Sequence, residues 1–147
     1  MLPFLAVLRR LRHGLTIGVR VIATDADGRV LLVRHSYVAG WHLPGGGVDA
    51  GESAEQAARR ELAEEAGAVV EGPLHLHGVF FNPKVGGRDH VVCYRAACSR
   101  PDGAWVPNLE IRAAEFFRPE ALPDGLSPAT ARRLNEWQQG FAPAEIW

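Results

Sequence analysis

The sequence predicts a single domain of the α/β or α+β class, on the basis of its length, its composition and the order of its predicted elements. The chain has 147 residues, which is enough to bury a hydrophobic core without disulfide bonds. Hydrophobic residues make up 47% and charged residues 22%, both ordinary for a globular protein. Alternating apolar residues indicate strands on both sides of one central helix, and a second helix follows near the end.

The first predicted elements form a hairpin. Apolar and other residues alternate over Leu15–Thr24, which indicates a half-buried strand. Asp27-Gly28 is a strong signal for a two-residue turn, and Val30–Val33 is predicted as the returning strand. The next stretch, Val38–Val48, is rich in glycine, and we expect it to be a loop.

The central helix is predicted over Ser53–Ala66. Ser53 and Gln56 have the spacing of a capping box, in which each side chain satisfies an unpaired backbone N–H group. Gly67 can adopt the left-handed conformation that ends a helix. Further strands are predicted at Leu74–Phe81, Val91–Ala97 and Ala113–Arg118, and a last helix at Pro128–Gln139 with Ser127 as its N-cap.

The residues before the first strand, 1–14, are predicted to form a basic amphipathic arm ahead of the main domain, 15–147. The arm combines leucines at positions 5, 8 and 11 with arginines at positions 9, 10 and 12. Its charges follow the apolar residues, the reverse of a secretory signal. Such an arm could lie on an anionic membrane surface, but we expect it to pack on its own domain or across a homodimer.

The two cysteines, Cys93 and Cys98, suit neither a disulfide framework nor a four-ligand zinc site. They are predicted to be free thiols in a reducing cytoplasm. No apolar run approaches the roughly 20 residues needed to span a membrane. Two histidines, His75 and His77, alternate on a predicted strand and are expected to lie at the surface rather than to bind zinc, since no third ligand is evident nearby.

The charge of the chain is balanced overall and unbalanced locally. The formal net charge is −1, so no general positive field is available to attract nucleic acid. Glu61, Glu64 and Glu65 nevertheless fall on one stripe of the predicted helix, where like charges repel, and Arg60 offsets only part of this charge. A solvated acidic face is one interpretation. The glycine-rich stretch directly before the helix favours the other, a site for Mg²⁺ and a phosphate-bearing substrate.

These residues resemble the Nudix box, Gly-x5-Glu-x7-Arg-Glu-U-x-Glu-Glu-x-Gly-U, where U is a bulky aliphatic residue. The matching positions are Gly46, Glu52, Arg60, Glu61, Leu62, Glu64, Glu65 and Gly67, and the box ends at Ala68, which is smaller than the usual residue. The resemblance implies a Nudix fold, an α/β/α sandwich with a mixed central sheet and a catalytic loop-helix. It also implies an enzyme of the cytoplasm that cleaves a diphosphate bond with Mg²⁺ or Mn²⁺.

The resemblance also implies roles for individual residues. Glu61, Glu64 and Glu65 would bind the metal ions, the Gly45 carbonyl would be a further ligand, and Glu52 would order the site directly or through water. Arg60 would orient a glutamate of the box through a two-point contact, which a lysine would imitate poorly. In addition, Glu110 lies where family members often carry a later loop acid, and it is either a general base or further ligand or else a solvated loop acid.

The substrate is predicted only as a class: a nucleoside diphosphate linked to another group, of the nucleotide-sugar or ADP-ribose type, or a (d)NTP. Aromatic rings could stack on a base and arginines could pair with phosphate. The candidate contacts are Arg34, Tyr37, Trp41, Phe81 and Arg88, with Phe80 and His90 as further candidates. The alternative function is a catalytically weak Nudix-fold module that binds or senses a nucleotide.

Overall fold

The computed structural model describes Leu5, Ala6, Leu8, Arg9 and His13–Trp147. Most of the predicted N-terminal arm therefore lies outside the described residues, and its boundary with the main domain stays a prediction. The strands and helices of the described part follow in the order β1 (Thr16–Thr24), β2 (Val30–His35), β3 (Trp41–His42), β4 (Gly45–Gly47), α1 (Ala54–Ala66), β5 (Val69–Asn82), β6 (Asp89–Ser99), β7 (Ile111–Phe117) and α2 (Pro128–Gln139).

The strands form one mixed sheet that lies between the two helices, so the predicted α/β fold is confirmed. Neighbouring strands follow the order β3-β2-β1-β6-β5, with β4 paired to β1 and β7 paired to β2. The pairing of β1 with β6 is parallel and the other pairings are antiparallel. One apolar cluster joins Leu62 of α1 to one face of the sheet, and a second joins Leu134 of α2 to the opposite face. Burial of these two faces stabilises the layers.

The segment Trp41–Gly47, which we call the wedge, separates β1 from β2. These two strands pair at Thr24 and Val30 and then diverge. β3 fills the gap on the side of β2, and β4 fills it on the side of β1. The predicted loop over 38–48 is therefore wrong in part, because the glycines let this backbone approach β1 closely enough to join the sheet.

Helix α1 has the ends that the sequence predicts. The Ser53 side chain accepts a hydrogen bond from the Gln56 N–H, and the Gln56 side chain accepts one from the Ser53 N–H. Gly67 ends the helix with φ of 60°, in the left-handed region. The last helix is likewise confirmed, with Ser127 as its N-cap.

The prediction of free thiols is confirmed, since Cys93 and Cys98 are free and buried. Burial raises the pKa of the Cys93 thiol to about 12. This cysteine therefore stays protonated and behaves as an apolar core residue. Within the described part of the chain, no helix is both long enough and apolar enough to cross a membrane.

Candidate functional site

Arg60 organises the acidic residues around the start of α1. Its Nε and Nη2 donate to the two carboxylate oxygens of Glu52 at 2.7 and 2.9 Å. Nη1 donates to Glu61 Oε1 at 2.9 Å and to Glu64 Oε2 at 3.2 Å, and Nη2 also donates to the Gly47 carbonyl at 3.0 Å. One planar guanidinium thus fixes three carboxylates and the end of the wedge, a geometry that an ammonium group would not reproduce.

The same contacts keep Glu52 ionised. Hydrogen bonds from the Arg60 side chain and the Asp49 N–H hold the pKa of the Glu52 carboxyl at about 2. The carboxylates in turn raise the pKa of Arg60 above its usual range. Both carboxylate oxygens of Glu52 therefore bind Arg60, and the role of Glu52 in ordering the site stays a prediction.

Glu65 is in a different environment, because it is 6% exposed and has no guanidinium bonded to it among the described contacts. Its Oε2 accepts a hydrogen bond from the Gly45 N–H at 3.2 Å. Burial raises the pKa of the Glu65 carboxyl to about 7 in spite of the Arg20 charge and the Gly45 hydrogen bond, which lower it, and the charges of Glu61 and Glu110 contribute to the rise. A positive ion next to Glu65 would relieve this cost of burying the charged form.

Glu61 occupies the space that a side chain at Gly46 would need. A Cβ atom built on Gly46 would lie 2.7 Å from Glu61 Cδ, and Glu61 is half-buried. Burial also raises the pKa of the Glu61 carboxyl. Glu61 and Glu65 are thus two partly desolvated carboxylates placed against the backbone of the wedge.

Arg20 is a site residue that the sequence analysis missed. Its Nη1 donates to the Leu43 carbonyl at 3.0 Å and to the Gly45 carbonyl at 3.4 Å. Its charge lowers the pKa of both Glu61 and Glu65. The available signal was a single arginine inside the apolar alternation of β1. Without knowledge of the wedge, that arginine is predicted to be a solvent-facing residue of a half-buried strand.

The residues present fit a divalent cation. The donors gathered on this face are all oxygens, from the carboxylates of Glu61, Glu64 and Glu65 and from the Gly45 carbonyl, and hard cations such as Mg²⁺ take oxygen ligands. The absence of a Cβ at Gly46 leaves room for the Glu61 carboxylate. In the described residues as they stand, no three His, Cys, Asp or Glu side chains converge on one point. Ion binding would therefore draw Glu64 away from Arg60.

Glu110 lies on the loop before β7 and is exposed. Asn108 Oδ1 accepts a hydrogen bond from the Glu110 N–H at 2.9 Å, and the Glu110 carbonyl accepts one from the Ser36 N–H at 2.9 Å. The charge of Glu110 raises the pKa of Glu65, which places the two acids within electrostatic range. Its role as a base or a further ligand stays a prediction.

The predicted substrate contacts fall into separate groups. The Arg34 guanidinium lies 5.5 Å from the Trp41 ring, which packs at 4.9 Å against Phe117 in the apolar cluster beside α2. This group is therefore on the opposite face of the sheet from Glu61 and Glu65. Tyr37 is 71% exposed and lies 5.9 Å from the His35 ring.

Phe81 lies on β5, two strands from β1, and its side chain points to the face of the sheet opposite that of Phe80. Its partner in β6 is His90, with the ring centroids 5.7 Å apart, and His90 is level with Ile17 in β1. The Ile17 carbonyl accepts a hydrogen bond from the Val48 N–H, directly after the wedge. Phe81 and His90 therefore share the α1 face of the sheet with the site. Nearby, the exposed Arg88 donates to the Gly14 carbonyl at 3.1 Å.

Two aromatic or histidine predictions are wrong. Phe80 is fully buried in the cluster beside α2, since its side chain points to the face opposite that of Phe81, so it cannot touch a substrate. His77 is not at the surface, because its side chain faces α2 and is 6% exposed. There its Nε2 lies 3.1 Å from Glu136 Oε1.

His35 predicts a pH-dependent stability. Burial, with the nearby charges of Arg20 and His42, lowers the pKa of His35 to about 4, and its Nδ1 is buried without a partner. The folded pKa lies below the unfolded value, so stability is full above about pH 6.5 and falls between pH 6.5 and 4 as the unfolded state takes up a proton first. With allowance for partial exposure, we expect a loss of about 1 kcal/mol between pH 7 and 5 in urea unfolding.

The variant His35→Gln should remove this part of the pH dependence, because glutamine does not titrate. His75→Gln is the matched control, since His75 is exposed on the same sheet. An unchanged pH dependence in His35→Gln would show that His35 is not the group responsible.

A cavity of about 770 Å³ lies at the other end of β1, bounded by Asp25, Trp105 and Phe116. None of the predicted site residues lines it. The site beside the wedge and α1 is therefore separate from this cavity.

Comparison with known proteins gives results of three kinds. The model of the NUDIX domain matches residues 14–138. A putative 8-oxo-dGTP diphosphatase of Bacillus subtilis (strain 168) is 33% identical over 133 residues, covering 89% of this chain and 85% of that protein. An ADP-ribose pyrophosphatase of Methanocaldococcus jannaschii is 30% identical over 102 residues, covering 67% of this chain and 60% of that protein. The crystal structure of a MutT NUDIX hydrolase from Burkholderia pseudomallei superposes with a TM-score of 0.67 at 29% identity, covering 82% of this chain and 95% of the other.

Proposed function

The chain belongs to the NUDIX family, and from this we propose that it is a pyrophosphohydrolase that depends on Mg²⁺ or Mn²⁺. Its substrate would be a nucleoside diphosphate linked to another group, or a (d)NTP. The relatives named as a putative 8-oxo-dGTP diphosphatase and as an ADP-ribose pyrophosphatase support this substrate class.

The observation that carries the proposal is the placement of Glu61 and Glu65 against the wedge, with Arg60 ordering the remaining acids. Two partly desolvated carboxylates side by side would repel a diphosphate on their own. A cation bound between the carboxylates and the diphosphate would remove this repulsion. When bound, a divalent cation neutralises diphosphate charge, polarises the phosphoryl oxygens and lowers the pKa of water.

The residues of this chain would divide the remaining work. Glu61, Glu64 and Glu65, with the Gly45 carbonyl, would hold the cation. Arg60, held by Glu52, would orient Glu61, as their contacts already do. Glu110, which is exposed and close enough to influence Glu65, would take a proton from the attacking water as general base.

We expect turnover of at least one member of a substrate panel, and only with Mg²⁺ or Mn²⁺ present. The panel holds ADP-ribose, nucleotide sugars, dinucleoside polyphosphates, 8-oxo-dGTP and the (d)NTPs, with products separated by chromatography. EDTA should abolish turnover and excess Mg²⁺ should restore it, because the carboxylates repel the negatively charged substrate when no cation is bound.

Two outcomes would contradict this function. Turnover that persists in EDTA would refute the metal dependence. Binding of a nucleotide without turnover under any metal condition would favour the alternative, a Nudix-fold module that senses a nucleotide.

We also propose that the protein forms a homodimer and is located in the cytoplasm. Light scattering of the purified full chain would measure the oligomeric state.

A further inference from the structure

Helix α2 carries an ion pair that the proposed chemistry does not use. Arg133 is fully buried, and its Nε and Nη2 donate to the two carboxylate oxygens of Glu136 at 2.7 and 3.0 Å. The guanidinium also lies 4.1 Å from the centroid of the Phe80 ring. A buried ion pair contributes little net stability unless its remaining donors and acceptors are also satisfied, so those partners are informative.

Besides His77 Nε2, which lies 3.1 Å from Glu136 Oε1, the remaining partners come from the C-terminal segment, Ala144–Trp147. Arg133 Nη1 donates to the Ile146 carbonyl at 3.0 Å, and Glu136 Oε2 accepts from the Ala144 N–H at 2.9 Å. The Trp147 ring lies 5.3 Å from the Arg133 guanidinium. The ion pair is therefore fully satisfied only while this segment is docked.

The C-terminal segment in turn pairs with β5 at Phe81. The Phe81 N–H donates to the Glu145 carbonyl at 2.9 Å, and the Phe81 carbonyl accepts from the Trp147 N–H at 2.9 Å. β5 ends the run of paired strands, so this short parallel pairing occupies the outer edge of Phe81. On its inner edge Phe81 pairs with His90, whose row continues to Ile17 and the wedge.

We propose that Arg133 and Glu136 are positioning residues for the substrate, because they fasten the C-terminal segment to β5 and so hold Phe81 beside His90 on the α1 face. This inference rests on the proposed function for the identity of the substrate, while the docking itself rests on the contacts above. The Phe81 ring suits the planar or apolar part of a nucleotide, since an aromatic ring stacks on a base. Arg133 and Glu136 thus affect the affinity for the planar or apolar part of the nucleotide, and they leave cation binding at Glu61 and Glu65 unchanged.

The test uses the full chain with the double variant Arg133→Met/Glu136→Leu. Removing both charges avoids a lone buried ion, which would destabilise the fold by itself. The control is Gln138→Ala, which removes a hydrogen bond from the same helix to the Pro119 carbonyl and leaves the C-terminal segment untouched. Should the double variant fail to fold, Trp147→Pro removes the N–H group that binds the Phe81 carbonyl.

Three quantities are measured: amide hydrogen exchange of the peptides that contain Phe81 and His90, kcat and KM for the substrate found in the panel, and Mn²⁺ affinity by electron paramagnetic resonance. We expect faster exchange both in the C-terminal segment and around Phe81, and a KM raised about 5- to 20-fold. We expect kcat within about twofold and Mn²⁺ affinity unchanged, because the carboxylates are not moved.

If Arg133 and Glu136 had only a structural role, the double variant would be less stable but would not combine a raised KM with an unchanged kcat. A KM within twofold of the wild type would therefore overturn the proposal. Exchange that rises only in residues 144–147 would overturn it as well, because the segment would then not hold Phe81. If the wild type turns over nothing, the proposed function fails separately. In that case the exchange result and the calorimetric Kd for ADP-ribose and dGTP still decide the role of Arg133 and Glu136.

Discussion

Replacement of Glu65 by glutamine is expected to lower kcat by on the order of 10²- to 10³-fold while leaving the folded state intact. The amide has the shape of the carboxyl and can still accept the hydrogen bond from the Gly45 N–H, which now measures 3.2 Å. It cannot offer a negative charge to a cation. Because burial already raises the pKa of Glu65 to about 7, a neutral side chain at this position should hold Tm at the wild-type value or slightly above it.

Glu64→Gln is expected to show the same separation, since Glu64 is mostly exposed and its loss costs one contact with Arg60. Glu55→Gln on the first turn of α1 is the matched control, because it removes an exposed carboxylate from the same helix. The measurements are kcat at saturating Mg²⁺ and Tm by calorimetry. Near wild-type turnover in Glu64→Gln or Glu65→Gln would show that the metal assignment is wrong.

Adding one methyl group to adjacent glycines of the wedge is expected to have two different effects. Gly45 has φ of 154°, and a Cβ there would collide with the Val19 carbonyl group and the Arg20 Cα, all of them backbone atoms of β1. Gly45→Ala should therefore lower the free energy of unfolding by about 3 kcal/mol or more. At Gly46 the atoms nearest to the methyl would be those of the Glu61 carboxyl group, which can turn away.

Gly46→Ala should therefore keep most of its stability and lose about 10- to 100-fold in kcat, because Glu61 is displaced from the site. Gly47→Ala is the control for stability, since no atom lies within 4 Å of a Cβ built there. Urea unfolding and kcat on the same preparations separate the two effects. Equal losses of stability in Gly45→Ala and Gly46→Ala would mean that the wedge is not seated on β1 as described.

The features that the sequence predicts correctly are those that depend on neighbours along the chain. The capping box of Ser53 and Gln56, the stop at Gly67 and the shared stripe of the glutamates all follow from helical spacing within about fifteen residues. Arg60 could likewise be expected to reach Glu64, four residues on. These local rules locate the centre of the site.

The features that the sequence does not predict depend on partners far along the chain. The two short strands of the wedge exist only because β1 and β2 diverge. His77 is buried because its side chain faces α2, and its partner Glu136 lies 59 residues away. Arg20 reaches carbonyls 23 and 25 residues further along the chain, so no periodicity could assign it. Long-range pairing of this kind overrides local preference.

The seating of the wedge inside the sheet has a consequence for how relatives of this chain can diverge. A residue inserted into Trp41–Gly47 would shift the pairing of β1 or β2 by one position and turn side chains to the wrong face. An insertion at 83–87 or 101–104, where every residue is exposed, would only lengthen a surface connection between strands. Length variation, and with it new substrate preference, is therefore expected to enter through those two connections. The part that holds the acidic residues should keep its length while the chemistry recognised around it changes.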